Sequence, residues 1–175
     1  RLASQVDSFE ATDLARGHCR GRVDDLVLVR NDGIPAYNLA VVVDDGLQGV
    51  DQVVRARDLW SSAPRQSHLA ALLGFEAPTY AHTGLVAAPG GERLSKSAGA
   101  AGLTRLMAGG IDRNRIMAWL CRSLGLPEVS DPHDLIGSAA LTPPSPPAEV
   151  IPLDPASLDG PLGWWNDAVL SVDEL

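Results

Sequence analysis

From its first residues the chain alternates. Leu2, Ser4 and Val6 fall on one side of an extended backbone and Ala3, Gln5 and Asp7 on the other, the period-two pattern of a strand. Residues 24–30, "DDLVLVR", alternate only partly and are followed by the turn sequence "NDG" at Asn31 to Gly33, which predicts a mostly buried strand. After Pro35 comes "AYNLAVVVDDG". Its three consecutive valines favour strand by propensity, while its length and closing Gly46 suit a buried helix equally well, so periodicity leaves both open. "GVDQVVR" (Gly49 to Arg55) is a short β-branched strand. "SSAPRQSHLAALLGF" then predicts a helix: Ser61 or Ser62 is the N-cap, Pro64 lies in the first turn, Leu69, Leu72 and Leu73 form the apolar stripe, and Gly74 stands just past the end. "YAHTGLVAA", with a turn at Pro89, Gly90 and Gly91, restores a strand. Strands and helices alternating at this length predict an α/β layer built on a parallel sheet.

From Ala101 the texture changes. "LTRLMAGG" and "DRNRIMAWLCRSLGL" are amphipathic helical segments, the second capped by Asp112 and stopped by Gly125 and Pro127. "SDPHDLIGSA" offers a third, capped by Ser130 or Asp131, and no strand is evident. "LTPPSPPAEVIPLDP" is too proline-rich for either regular element and is expected to run extended over the surface, with Trp164 and Trp165 able to dock the end of the chain back. The expected division is an α/β unit over 1–97, a small helical unit over 98–141 and a proline-rich acidic tail over 142–175.

Composition narrows the class. With 45% hydrophobic and 21% charged residues over 175 positions, the chain can bury one good core and a small satellite. No apolar run approaches the ~20 residues of a membrane span, and a cytoplasmic location is expected. Two cysteines, Cys19 and Cys121, are too few and too far apart for a zinc framework or a disulfide scaffold; no metal site is expected within the chain. There is no initiator Met and the chain opens in mid-pattern, as a piece of a longer protein would.

A net charge of −8 argues against nucleic acid until it is counted by region. From Glu128 onward there are nine acidic residues and no Lys or Arg, so the acidity belongs to the tail. Between Arg93 and Arg122, six basic side chains (Arg93, Lys96, Arg105, Arg113, Arg115 and Arg122) face one acid, Asp112. These six suit a phosphate-binding patch or, equally, solvated helix faces.

The chemistry concentrates at "GGERLSKSAGA", where a chain with thirteen arginines places its one lysine, Lys96. A lysine on a glycine- and serine-rich loop is a mobile point charge able to follow phosphate charge as it develops; the plainer alternative is an exposed hairpin lysine. Arg93-Leu94-Ser95-Lys96-Ser97 resembles the Lys-Met-Ser-Lys-Ser motif of class I aminoacyl-tRNA synthetases. "DLVLVRNDGIPAYNLAVVVDDGLQGVDQVVRARDLWSSAPRQ" (25–66) and "YAHTGLVAAPGGERLSKSAGA" (80–100) are similar to the glutamyl-tRNA synthetase family over more than half of the chain. The resemblance implies an α/β fold, the second half of a Rossmann-like catalytic domain followed by a helical stem-contact-like domain. It implies Lys96 as the catalytic lysine on ATP phosphates, with Arg93 and Ser95 also at the nucleotide, and Tyr37 and Arg55 holding the glutamate substrate. It also implies that "AYNLAVVVDD" is a buried helix. For Arg55 the alternative is a salt bridge to Asp44 or Asp45; for Tyr37, a core aromatic; and His82 is expected to be a packed histidine.

The family's His-Ile-Gly-His motif is not in this sequence, and the small "RG" pair that usually follows the substrate strand is here Arg55-Ala56. Within the family, the wording around "AYNLAVVVDD" and "QGV", and a stretch after Lys96 too short for anticodon-binding domains, resemble the short queuosine-modifying branch. That implies ATP with Mg2+, glutamate, and tRNA(Asp) as acceptor, with Arg105, Arg113, Arg115 and Arg122 on RNA phosphates. Any zinc site of the family would fall outside these residues. The alternatives are charging of tRNA(Glu), or a synthetase-like tRNA-binding protein without catalysis.

Overall fold

A computed structural model describes residues 1–14, 16–87 and 103–137, together with 151–152 and 168–169. The chain divides into two compact units, Arg1–His82 with Pro144–Ser157, and Thr83–Pro143 with Leu158–Leu175.

The first unit is organised by an antiparallel hairpin, β1 (Ser8–Asp13) and β2 (Gly17–Arg22), in register from Ser8 opposite Arg22 to Asp13 opposite Gly17. Alternation puts Ala11 and Asp13 of β1, and Gly17, Cys19 and Gly21 of β2, on the buried face. All but Asp13 are small. The turn closes when the Arg16 N–H donates to the Asp13 carboxylate (3.1 Å), and Gly17 adopts the left-handed φ of 80° that resuming the strand requires.

The chain then runs extended to α1 (Tyr37–Gln48), β3 (Gln52–Ala56), a 3-10 turn over Arg57–Ser62, α2 (Ala63–Leu73) and β4 (Thr79–Thr83). In the sheet, β4 lies between β3 and β1, parallel to β1; β2 continues the order, and β6 (Ile151–Pro152) pairs parallel to β2. The sheet is therefore mixed, not parallel throughout. The hairpin that makes it so is hidden in "GHCRGR", where Cys19 is the one apolar side chain between glycines and charges.

Helix α2 packs on the hairpin and buries most of its first turns: Ala63, Pro64, Gln66, Ser67, His68, Leu69 and Ala70. The expected leucine stripe holds only at Leu69, since Leu72 and Leu73 are exposed in the final turn before Gly74 (φ 77°) ends the helix. The surface that α2 covers is lined by small side chains and by Phe9, whose ring lies 5.2 Å from that of His68, so its contact is made largely by small and polar residues. The valine stretch is helical, as the resemblance implies, but only Val42 is buried, with Leu39 and Val41 packed at the edge of a cluster of Leu26, Val42, Leu69 and Ala70. It is an amphipathic helix lying on α2, and the apolar contact of one face outweighs β-branched propensity.

Residues 24–30 do not form the expected strand. They stay extended with isolated bridges from Leu26 to Leu2 and from Val29 to Pro35, and among the apolar side chains only Leu26 is fully buried. The pairing partner of Val29 ends at once, because α1 begins two residues after Pro35, and Asp24 is drawn to Arg65, which donates from Nε (2.6 Å) and Nη2 (2.9 Å).

In the second unit, β5 (Val86–Ala87) pairs parallel to β7 (Ala168–Val169). Helices α3 (Leu103–Ala108) and α4 (Arg113–Ser123) follow as the sequence predicts, with the Asp112 carboxylate accepting from the Asn114 N–H at 2.6 Å. Ile116 and Trp119 form a small core with Leu106, Ile111 and Leu120. The third predicted helix is a single 3-10 turn, Pro132–Leu135, capped by Asp131. Both cysteines are free thiols and buried. The proline-rich run, apart from the strand at 151–152, and Trp164 and Trp165 lie outside the described residues.

One packing contact is tight enough to test. A Cβ on Gly46 of α1 would come within 2.5–2.7 Å of the Phe75 ring, well inside van der Waals contact. Gly46→Ala should lower stability by about 1–3 kcal/mol, the usual cost of overpacking, despite alanine's better helix propensity; chemical denaturation of the two chains compares them directly.

Candidate functional site

The three strands that place chemistry at their ends are neighbours in the sheet: β3, β4 and β1. Each ends on a polar group. Arg55 is the penultimate residue of β3, His82 the penultimate residue of β4, and Asp13 the last residue of β1. Side chains at the carboxyl ends of strands in an open α/β sheet face the crevice where such folds bind ligands.

These groups are joined. Arg55 Nε donates to His82 Nε2 at 3.0 Å, Arg55 Nη1 to Gln66 Oε1 at 2.6 Å, and Arg55 Nη2 to the Leu59 carbonyl at 3.1 Å. The Tyr37 phenol lies near enough to act on the charge of the guanidinium, whose carbon lies 4.5 Å from the centre of the Tyr80 ring. Gln66 passes the order on, donating from Nε2 to Asn38 Oδ1 at 3.0 Å. On the far side of the imidazole, His82 Nδ1 meets Asp13 Oδ2 at 2.8 Å, and the His82 backbone N–H donates to the same oxygen at 3.2 Å.

The proton positions follow from donor chemistry. A guanidinium only donates, so Nε2 accepts with its lone pair; the ring proton then sits on Nδ1 and is given to Asp13. His82 is therefore the neutral Nδ1–H tautomer. It is fully buried, edge-on to Trp60 (ring centres 5.0 Å apart) and stacked with Tyr80 (5.7 Å). Burial lowers its pKa below the ordinary histidine value, with the Arg55 charge acting in the same direction and the Asp13 hydrogen bond opposing. Burial likewise lowers the pKa of Arg55 and raises that of Tyr80, while burial and then the Asp13 charge push the Cys19 thiol up to about 12, which leaves it inert.

Of the residues expected at the glutamate site, Tyr37 and Arg55 are brought together. Tyr37 opens α1 with its ring more than half exposed, so it is not a core aromatic. Asp45 exerts a charge effect on Arg55, but the described hydrogen bonds of Arg55 run to His82, Gln66 and Leu59. His82 is packed, as expected, and is also a bonded partner of Arg55. Lys96, Arg93 and Ser95 lie outside the described residues. Arg105 falls on α3. Arg115 and Arg122 line one groove on α4 with Ala118 and Glu128, whose carboxylate accepts from Arg122 at 2.8 Å. Arg113 does not line that groove and instead acts electrostatically on Asp131. Sequence reading passed over Asp13, Gln66 and Asn38. The signal for Asp13 was present: it continues the inward alternation of Phe9 and Ala11, where a carboxylate is out of place unless it has partners.

Comparison with known families identifies the fold. The model of the class I tRNA synthetase (E and Q) catalytic domain matches residues 1–136. The chain belongs to this family. Among curated proteins it is 74% identical over 172 residues to the "Glutamyl-Q tRNA(Asp) synthetase" of Cutibacterium acnes, a match covering 98% of this chain and 50% of that one. It is 53% identical over 127 residues to the protein of the same name from Nocardia farcinica, covering 73% of this chain and 41% of that one. The chain thus spans about half the length of the curated relatives it matches. A solved glutamate tRNA ligase from Elizabethkingia meningosepticum aligns at a TM-score of 0.46 with 33% identity, over 54% of this chain and 20% of that one. Among the described residues no cluster of side chains could hold a metal ion, and no helix is long and apolar enough to cross a membrane.

The neutral, buried His82 has a consequence for stability. Its folded-state pKa is below the unfolded value of about 6.5, so the stability it contributes is present above that pH and is lost as pH falls through the folded value. The melting temperature should decline on the acid side of about pH 6.5, and decline less in His82→Gln. An imidazole NMR titration in the folded chain should place the midpoint of His82 below that of a model histidine.

Proposed function

We propose that this chain carries the amino-acid side of a glutamate-activating site. In the full reaction a glutamate carboxylate oxygen attacks the α-phosphorus of ATP and pyrophosphate leaves. A hydroxyl of the queuosine base in tRNA(Asp) then takes the glutamyl group and AMP leaves. The observation that carries the reading is the Arg55 guanidinium, held beside the Tyr37 hydroxyl at the strand ends by His82 and Gln66. A planar, oriented guanidinium pairs bidentately with a carboxylate, and a half-exposed phenol beside it supplies a further donor. The two relatives named above support the choice of acceptor through their names.

In this reading residues 1–97 complete a catalytic domain, 98–141 form a helical stem-contact-like unit and 142–175 a tail. Lys96, with Arg93 and Ser95, neutralises ATP phosphates, and Mg2+ accompanies the nucleotide. Arg115 and Arg122, on one groove of α4, are the better placed of the basic set to share an RNA backbone, and Arg105 and Arg113 are the further candidates.

The protein should be purified as its gene encodes it. Removing a charged partner from a desolvated carboxylate costs about 2–5 kcal/mol, so Arg55→Ala should raise the glutamate KM sharply or abolish activation while the ATP KM stays near wild type, as read by glutamate-dependent pyrophosphate exchange. Unchanged glutamate kinetics would remove Arg55 from the substrate site. The acceptor is decided separately: labelled glutamate should load onto tRNA(Asp) carrying queuosine and not onto the same tRNA lacking it. Label on the 3′ end of tRNA(Glu) would make the activity that of an ordinary glutamyl-tRNA synthetase.

A further inference from the structure

Asp13 is a carboxylate only 1% exposed on the inner face of the hairpin, among the small residues Ala11, Gly17 and Cys19. Burial of such a group is tolerable only with several donors, and it has them: the Arg16 N–H on Oδ1, and the His82 N–H and Nδ1–H on Oδ2. The two backbone donors orient the carboxylate independently of the His82 ring. The Nδ1 contact then fixes both the tautomer and the plane of the imidazole, which Trp60 and Tyr80 hold from two sides. As a result Nε2 presents a lone pair to Arg55 Nε at 3.0 Å. With Gln66 and Leu59 taking Nη1 and Nη2, and the Tyr80 ring lying against the guanidinium, all three nitrogens of Arg55 have fixed directions.

We propose that Asp13 and His82 are positioning residues for substrate binding: Asp13 sets the tautomer of His82, and His82 sets the plane in which Arg55 meets the substrate carboxylate. This rests on the glutamate reading of Arg55. Neither residue touches the substrate. Protonating His82 converts Nε2 from acceptor to donor and turns the Arg55 contact into a repulsion between two N–H groups. The charged and titratable groups facing the ring are Asp13 and Arg16 at the end of β1, Arg55 on β3 and Tyr80 on β4, with Cys19 of β2 facing Asp13. Asp13 favours the added proton, whereas burial, Arg55 and Arg16 oppose it.

The test is steady-state kinetics on the protein as its gene encodes it. His82→Asn keeps a group near Asp13 but falls short of Arg55, whereas His82→Gln places an amide oxygen near the position of Nε2. The glutamate KM should rise about ten- to a hundredfold in His82→Asn, the scale of one lost hydrogen bond to a charged group. It should return close to wild type in His82→Gln, with the ATP KM unchanged in both. In the wild type the glutamate KM should climb as pH falls through the folded-state pKa of His82, which burial holds below the ordinary histidine value, and this acid limb should flatten in His82→Gln. A wild-type glutamate KM in His82→Asn, or an acid limb that persists unaltered in His82→Gln, overturns the proposal; should His82→Asn fail to fold, the acid-limb comparison decides alone. Arg55→Ala separates the two readings: if it leaves the glutamate KM unchanged the glutamate site itself is wrong, and if it raises the KM while His82→Asn does not, only the positioning role falls.

Discussion

The first unit depends on one buried carboxylate. Asp13 occupies an inward position where its neighbours Ala11, Gly17 and Cys19 are small, and a charge there can persist only if donors converge on it. The turn after β1 bends so that Arg16 donates its N–H, and β4 lies beside β1 so that the backbone and ring of His82 donate theirs. The parallel pairing of β1 with β4 thus has a polar clasp at its end as well as the backbone contact of Asp13 with Tyr80. The clasp and the ladder reinforce each other. The ring that satisfies the carboxylate can do so only from the end of an adjacent strand.

The same constraint shapes the face above the sheet. Helix α2 meets the hairpin with Ala63 beside Ala11 and with His68 against Phe9, and it carries Gln66 into the interior within reach of Arg55. Gln66 is itself satisfied by Arg55 on its oxygen and Asn38 on its nitrogen. A polar network in a low-dielectric interior is worth having only when its members are satisfied in this way. Here satisfaction runs unbroken from Asp13 through His82, Arg55 and Gln66 to Asn38, across three strands and two helices. Such a chain has little freedom to slip, and it holds the Arg55 guanidinium in a set direction.

The second unit is built on different terms. Its α4 helix buries Ile116 and Trp119 on one side and leaves Arg113, Arg115 and Arg122 exposed on the others, so its core is apolar and its charges are peripheral. Arg122 is tied to Glu128, both about half exposed, a pairing of small energetic value that leaves the guanidinium available to exchange partners.

Local sequence by itself determined the elements with a local cause. Asp112 caps α4 because its side chain reaches a free N–H two residues on, Gly74 ends α2 because the left-handed conformation there favours glycine, and Val53 with Val54 makes β3 extended. Family resemblance in "AYNLAVVVDD" and "QVVR" marked Tyr37 and Arg55, and the fold brings the two near each other. Tertiary structure decided what depends on distant partners. The hairpin was illegible because "GHCRGR" has almost no apolar pattern and is shaped by what packs on it. Residues 24–30 look like a strand but find bridging partners only at Leu2 and Pro35, and the valines of α1 yield to the apolar face of α2. Above all, Asp13 and His82 are 69 residues apart. No local propensity links them; only the placing of β4 beside β1 turns an odd carboxylate and a packed histidine into the support of Arg55.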